Sequence, residues 1–299
     1  MAINIAIIND HNGLAMKIKS FFDNETATVT YIVSDEKTKK CAVIDSVLNY
    51  DQYSGKTSTK SADQVIKYIK SNKLKLEFIL ETHIHADHIT AASYIKEKLG
   101  GKIAIGDKIR KVLKFWVPLF NIGKDTKLDG SQFDILFKNK DKFNIGSLRG
   151  QVIHTPGHTP ACASYHIENA VFTGDSIFMP YVGTGRTDFP GGDAKTLYRS
   201  IKKILLLPDD TRIFVCHDYP PAGQKPAWET TVAEQKIKNI LVNKKITEKQ
   251  YVKLRNERDN GKSVPKMLIP SIQVNLRAGK FGKKESNGVQ YIKVPVDKI

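Results

Sequence analysis

Hydrophobic and polar positions divide the chain into short strand-like and helix-like stretches that alternate from end to end. Residues 26–33 are β-rich and alternate in polarity, and residues 41–44 form a second apolar run that stops at Asp45; both read as strands. Residues 50–60, rich in Ser, Thr, Lys and Gly, read as a loop. Ser61 then opens a helix with Val65, Ile66 and Ile69 on one face. A buried strand at 78–80 runs directly into Glu81-Thr82-His83. The stretch 89–99 reads as a helix ended by Gly100-Gly101, 102–105 as a strand, and Asp107 as the cap of a short helix through Phe115. Further strands are expected at 151–153, 162–167, 170–173 and 213–215. Helices are expected at 193–206, where Pro208 stops the run, and at 228–242 and 248–258. From Pro265 onward short apolar runs are mixed with Gly and Lys.

Alternating strands and helices, with some strands in hairpin-like pairs, argue for a layered α/β domain. No linker, repeat or low-complexity tract divides the chain. One domain over residues 21–299, with a C-terminal helical elaboration and tail, is therefore expected, preceded by an uninformative lead over residues 1–20. No apolar run approaches the roughly 18 residues that span a bilayer. The apolar stretch at the N-terminus has no positive residue ahead of it and no small-residue cleavage site, so no signal peptide is expected. Cys41, Cys162 and Cys216 are too few for a disulfide framework and point to a reducing, cytoplasmic setting. The sequence is compatible with a homo-oligomer and does not set the state.

Charge changes the picture only slightly. The formal net charge is +16, a sign that suits nucleic acid, an acidic membrane surface or an anionic small substrate. The lysines are scattered, as at Lys37, Lys67, Lys75, Lys202 and Lys236, and no basic run is interleaved with aromatics that would stack on bases. A solvated basic surface is the expected reading, with no specific nucleic acid and no membrane as partner.

The chemistry is concentrated in His83-Ile84-His85-Ala86-Asp87-His88, three imidazoles and a carboxylate in six residues of a chain with only 8 His. Imidazole nitrogen and carboxylate oxygen are the donors that suit zinc, iron or manganese. A lone histidine here would read as a core residue bonded to backbone; a cluster of four donors does not. Three more signals follow, each where a predicted strand gives way to a loop. His158 sits in a Thr155-Pro156-Gly157 turn, Asp175 follows Phe172-Thr173-Gly174, and His217 follows an apolar run. Taken singly each is a turn residue; together they mark one rim of an α/β layer, where ligands tend to bind. His154 is expected to orient its turn and not to bind metal.

His-x-His-x-Asp-His, then Gly-His-Thr, then Thr-Gly-Asp, then a late His after a strand, resembles the metallo-β-lactamase superfamily in order and type. That resemblance implies an αβ/βα four-layer sandwich with metal at the edge between two sheets. The stretch from Gly183 through Arg186 to Asp193 and on to Tyr198 resembles the persulfide dioxygenases, as do Glu81 to Thr90, Cys216 to Tyr219, and Trp228 to Thr231. The tail Ser271 to Gly279 looks like the longer bacterial branch of that group, and the resemblance runs from about Phe21 to the C-terminus.

The family pattern implies one Fe(II) per chain, held by His83, His158 and Asp175 as catalytic metal ligands. His85, Asp87, His88 and His217 are then retained around it. Two His and one carboxylate on one face of iron leave positions open, as in oxygen-activating non-haem enzymes. The implied reaction converts glutathione persulfide, O2 and water to sulfite and glutathione; the persulfide of another low-molecular-weight thiol is the other substrate considered. Arg186 is the candidate anchor for a glutathione carboxylate, since its planar fork suits one, with a loop-bracing role as the alternative. Tyr198 is a second candidate for the same cleft, with helix packing as its alternative. Cys162 reads as a small core residue.

Two other functions stay open at this point. A glyoxalase II-like thioesterase would use all seven residues in a binuclear centre, with zinc as one alternative metal and Asp175 bridging. A metal-dependent nuclease or nucleic-acid-binding module would make use of the charge, but lacks a concentrated basic stripe.

Overall fold

A computed structural model describes residues 6–9 and 15–299 of the chain. The first part supplies strands β1 (Ala6–Asn9), β2 (Ala15–Asp23), β3 (Thr28–Asp35), β4 (Lys40–Ile44), β5 (Val47–Tyr50), β6 (Thr57–Ser58), β7 (Lys75–Leu80), β8 (Ile89–Thr90), β9 (Lys102–Gly106) and β10 (Ile135–Phe137). Helices α1 (Lys60–Ser71), α2 (Ala92–Leu99) and α3 (Ile109–Leu119) are interleaved with them. One sheet has the order β1-β2-β3-β4-β7-β9-β10, and β6-β5-β8 form a small satellite. The second part supplies β11 (Lys142–Ile145), β12 (Leu148–His154), β13 (Ala163–Ile167), β14 (Ala170–Phe172), β15 (Arg212–Phe214) and β16 (Glu229–Thr231), which pair in that order as the other large sheet. Its helices are α4 (Ala194–Ile204), α5 (Val232–Lys238), α6 (Glu248–Asp259) and α7 (Leu268–Asn275).

Period-two alternation places the layers. In β3, Val29, Tyr31 and Val33 enter the core between the sheets, while Ile32 turns outward beneath the helices. In β4, Ala42 and Ile44 face inward, and Cys41 and Val43 outward. Both faces of these central strands are covered, which is why β3 is buried at every position. Outward residues of the first sheet pack on α1, α2, α3 and α7; Val171, Ile213 and Val215 of the second pack on α4, α5 and α6. The architecture is the expected αβ/βα sandwich. Tyr31, Phe172 and Phe214 knit its centre, with ring centroids 5.0–5.5 Å apart. Among the described residues, no helix is long and apolar enough to cross a membrane.

Several elements differ from expectation. The supposed lead of residues 1–20 is strand from Ala15 onward, because β2 pairs along its length with β3 and buries Met16 and Ile18 between the sheets; residues 1–5 and 10–14 lie outside the described residues. Ile89 and Thr90 pair with β5, so α2 begins only at Ala92. Asp107 continues the sheet edge through its N–H to Phe137 O, and α3 starts at Ile109 without a side-chain cap. At 228–231 the expected helix is strand β16, paired with β15; Thr231 then caps α5 by accepting from Glu234 N at 3.1 Å. Within 50–60, Thr57 and Ser58 pair with β5. The tail after Pro265 contains α7, which returns to the first sheet's helical layer.

Candidate metal centre

The ligand candidates come from loops at one edge of the two sheets. His83, His85, Asp87 and His88 fill the link between β7 and β8, and His158 the link between β12 and β13. Asp175 sits in a single 3-10 turn just after β14, and His217 three residues beyond β15. Gly174 makes the first turn possible, with φ +51. Gly185 allows the opposite loop to pass close by: a Cβ there would lie 2.0 Å from the Asp175 carbonyl oxygen.

One hydrogen bond at the rear of most of these imidazoles sets its tautomer. Asp45 accepts from Thr82 N at 2.8 Å and from Thr82 Oγ1 at 2.9 Å. Having donated there, the Thr82 hydroxyl accepts from His83 Nδ1 at 3.0 Å, which leaves His83 Nε2 with a free lone pair. His85 Nε2 donates to Asp45 Oδ1 at 3.0 Å, leaving Nδ1 free. His158 Nδ1 donates to Arg186 O at 2.7 Å, and His217 Nδ1 to Ala27 O at 3.3 Å, leaving Nε2 free on both. This is how proteins aim metal-binding imidazoles.

The free atoms converge. His83, His158 and Asp175 each offer a ligand atom within 4.8 Å of the others, and His85, Asp87, His88 and His217 form a second such set. Asp175 lies between the sets: Oδ2 is 3.6 Å from His158 Nε2 and 3.9 Å from His83 Nε2, and Oδ1 is 3.3 Å from His217 Nε2. His83 Nε2, His85 Nδ1, His88 Nε2, His217 Nε2 and Asp175 Oδ1 are buried without a hydrogen-bond partner. Five orphaned polar atoms aimed at one place would be costly in a folded protein. A cation satisfies them together, so the donor set fits a metal.

Burial holds His83 and His85 well below the usual imidazole range, with neighbouring imidazoles adding to the effect. Burial pulls His217 down too, but the Asp87 and Asp175 carboxylates outweigh it and raise the net value. Asp87, though desolvated, is held well below the carboxylate range because the His217 and His88 imidazoles face it.

Asp45, which sequence reasoning took only as the end of a strand, thus braces both sets, His83 through Thr82 and His85 directly. Glu81 also backs His85, at 3.7 Å, while accepting from Thr90 Oγ1 at 2.7 Å. Cys216 lies behind the cluster, its sulfur within 4.8 Å of donor atoms of Asp45 and His85 and of Asp175 and His217, and its thiol is pushed far up by burial and by Asp45 and Asp175. His154 bonds to Phe137 O at 3.0 Å and takes no part in the cluster. Cys162 is a buried residue whose sulfur meets Thr159.

A cavity of about 480 Å³ opens onto Asp87, His158 and Asp175, with Phe178, Phe189 and Tyr219 among its walls. Tyr219 stacks on the His217 ring at 6.0 Å, a role the Cys-His-Asp-Tyr motif carried without revealing it. Tyr198 is not on this cavity's wall; its hydroxyl donates to Ile246 O at 3.0 Å and its ring packs against Tyr251 between α4 and α6. Arg186 does line the cavity, but its fork is engaged. Nε and Nη2 donate to Asp188 at 2.6 and 2.5 Å, and Nη1 to Ser263 O at 3.0 Å. The bracing alternative therefore explains its geometry. Arg186→Lys is expected to lower Tm by about 1–4 °C, the scale of one or two lost hydrogen bonds, and to leave KM unchanged. A rise in KM without loss of Tm, in steady-state kinetics alongside calorimetry, would return Arg186 to substrate binding.

Fold and site together define a metal-dependent enzyme built at the rim of an αβ/βα sandwich. The chain belongs to the metallo-beta-lactamase superfamily, whose profile matches residues 23–217. It is 52% identical to Glyoxylase B2 of Dictyostelium discoideum over 94% of this chain and 97% of that one. It is 28% identical to the human mitochondrial persulfide dioxygenase ETHE1, over 90% and 91% of the two chains. Among solved structures, ETHE1 from Myxococcus xanthus aligns with a TM-score of 0.70 at 27% identity, covering 88% of this chain and 99% of that one.

Proposed function

We propose that the chain is a persulfide dioxygenase that oxidises glutathione persulfide with O2 and water to sulfite and glutathione, using one Fe(II) at His83, His158 and Asp175. The observation that carries this reading is that His83, His158 and Asp175 bring two imidazoles and one carboxylate to a single point. Likeness to the human persulfide dioxygenase ETHE1, and to the solved ETHE1 of Myxococcus xanthus, across most of the chain supports it. When bound, ferrous iron in such a set supplies open positions for oxygen activation. The chain's own part is to fix the His83 tautomer through Thr82, to aim His158 through the Arg186 carbonyl, and to wall the approach with Phe178 and Phe189. Arg258 and Lys262, also on that wall, give it a positive field suited to an anionic thiol carrier. No protein nucleophile is required, and the buried, unpaired cysteines accord with a cytoplasmic setting.

A binuclear thioesterase of the glyoxalase II type is the second reading. It is favoured by Asp175 presenting one oxygen to each donor set, and by the likeness to Glyoxylase B2. Side-by-side assays separate the two. Oxygen uptake matched by sulfite is expected with glutathione persulfide, and no turnover with a glutathione thioester. Thioester hydrolysis without oxygen uptake would replace the dioxygenase with the hydrolase.

A further inference from the structure

The tail motif Ser271 to Gly279 contributes no metal ligand, yet Ser271 through Ala278 are all buried. Buried amides and guanidiniums need partners, and where those partners lie shows what the segment does. Gln273 donates to Ile269 O and Lys293 O, both at 2.9 Å, so it ties the tail to itself. Arg277 reaches Asp125 at 3.0 Å and Thr126 at 2.9 Å, in the loop after α3. Asn275 does something different. Its Nδ2 donates to His85 O and to His88 O, each at 2.9 Å, and its Oδ1 accepts from Thr90 N at 2.9 Å. The partners fix the amide's orientation, because two carbonyls require its donor side and an N–H requires its acceptor. A single side chain thus grips the backbone on both sides of Asp87, from some 190 residues further along the chain. Gly279 brings the tail against the same loop: a Cβ there would lie 3.0 Å from Thr90 O and 3.1 Å from Ser93 N.

We infer that Asn275 is a positioning residue of the metal centre, holding the His85–Thr90 backbone so that the β7–β8 loop presents His83 to His158 and Asp175, and His85, Asp87 and His88 to His217. The C-terminal helix α7 acts through it as a latch on the metal loop. The inference rests on the cluster being a metal centre and is independent of which reaction it performs.

The test strips the full-length protein of metal and titrates it anaerobically with cobalt(II), following visible absorption and competing with a chelator. Asn275→Ala is expected to weaken cobalt binding about 10- to 100-fold, the scale for losing an outer hydrogen-bonding partner of a metal site. Asn275→Asp is isosteric, keeps the acceptor for Thr90 N and loses both donors, so it is expected to bind cobalt nearly as poorly. Gln273→Ala, equally buried in the tail but without contact to the loop, is expected to lower Tm and bind cobalt as the unaltered chain does. An Asn275→Ala or Asn275→Asp protein that loses only Tm and keeps its cobalt affinity would overturn the inference. Should neither variant fold, exchange of the Thr90 amide in the unaltered chain decides: it is expected to slow on cobalt binding, and indifference to cobalt would reject the latch. Failure of the unaltered chain to take up cobalt at all would reject the metal centre itself.

Discussion

Alanine at His83, His158 or Asp175 is expected to abolish metal retention and turnover together, whereas His217→Ala keeps its metal and loses about 10- to 100-fold in kcat. The asymmetry follows from the geometry. His83 and His158 each have the rear nitrogen committed and only Nε2 free, and both Nε2 atoms face Asp175 Oδ2. Removing any one leaves two donors, too few to hold a divalent ion against a chelating buffer. Asp175 should be the most damaging of the three, because its other oxygen also restrains His217 at 3.3 Å. His217 itself belongs to the second set and meets the first only through that carboxylate. Elemental analysis after anaerobic gel filtration, run beside an activity assay, reads both quantities. Loss of metal from His217→Ala as complete as from His83→Ala would show that the two sets act as one centre and favour the hydrolase.

The donor residues were legible because their signal is local. Three imidazoles in six residues, and single donors where strands end, survive in the sequence whatever the rest of the chain does. Asp45 was not legible as a site residue, since its role arises only when β4 and β7 pair in parallel and bring it beside Thr82, 37 residues away. Asn275 is a stronger case: its motif was recognisable, but its partners lie across the whole chain. Arg186 is a different case. The sequence leaves substrate anchor and loop brace both open, and the choice turns on Asp188, two residues on, which takes both of its forked donors. The layered fold followed from alternation. The misread pieces were short strands such as β8 and β16, where two or three residues are too few for a period to show and pairing with a distant strand decides.

Removing the metal is expected to lower Tm by about 8–16 °C: a site filled at about a thousand times its Kd contributes about 4 kcal/mol, and each kcal/mol is worth roughly 2–4 °C in a chain of this size or slightly smaller. Calorimetry with and without chelator reads this. Refilling with ferrous iron is expected to stop at about one equivalent per chain, and pH provides an internal check on which donors take it. Burial holds His83 and His85 well below 6.5, which favours the neutral imidazole with the lone pair that each offers a metal. Their effect on the stripped protein has a definite sign. On unfolding at low pH they take up protons that the fold denies them, so stability falls as pH drops below the unfolded value of about 6.5. His217 runs the other way, raised by Asp87 and Asp175, so its favourable contribution is full at low pH and is lost as pH rises through its folded value. A proton on His217 Nε2 occupies the atom that a second ion would need. A binuclear centre should therefore fall from two equivalents towards one as pH drops through the folded value of His217, whereas an ion held only by the first set does not compete with that proton. Two equivalents of zinc at neutral pH, falling on acidification and accompanied by thioester turnover, would replace the mononuclear reading.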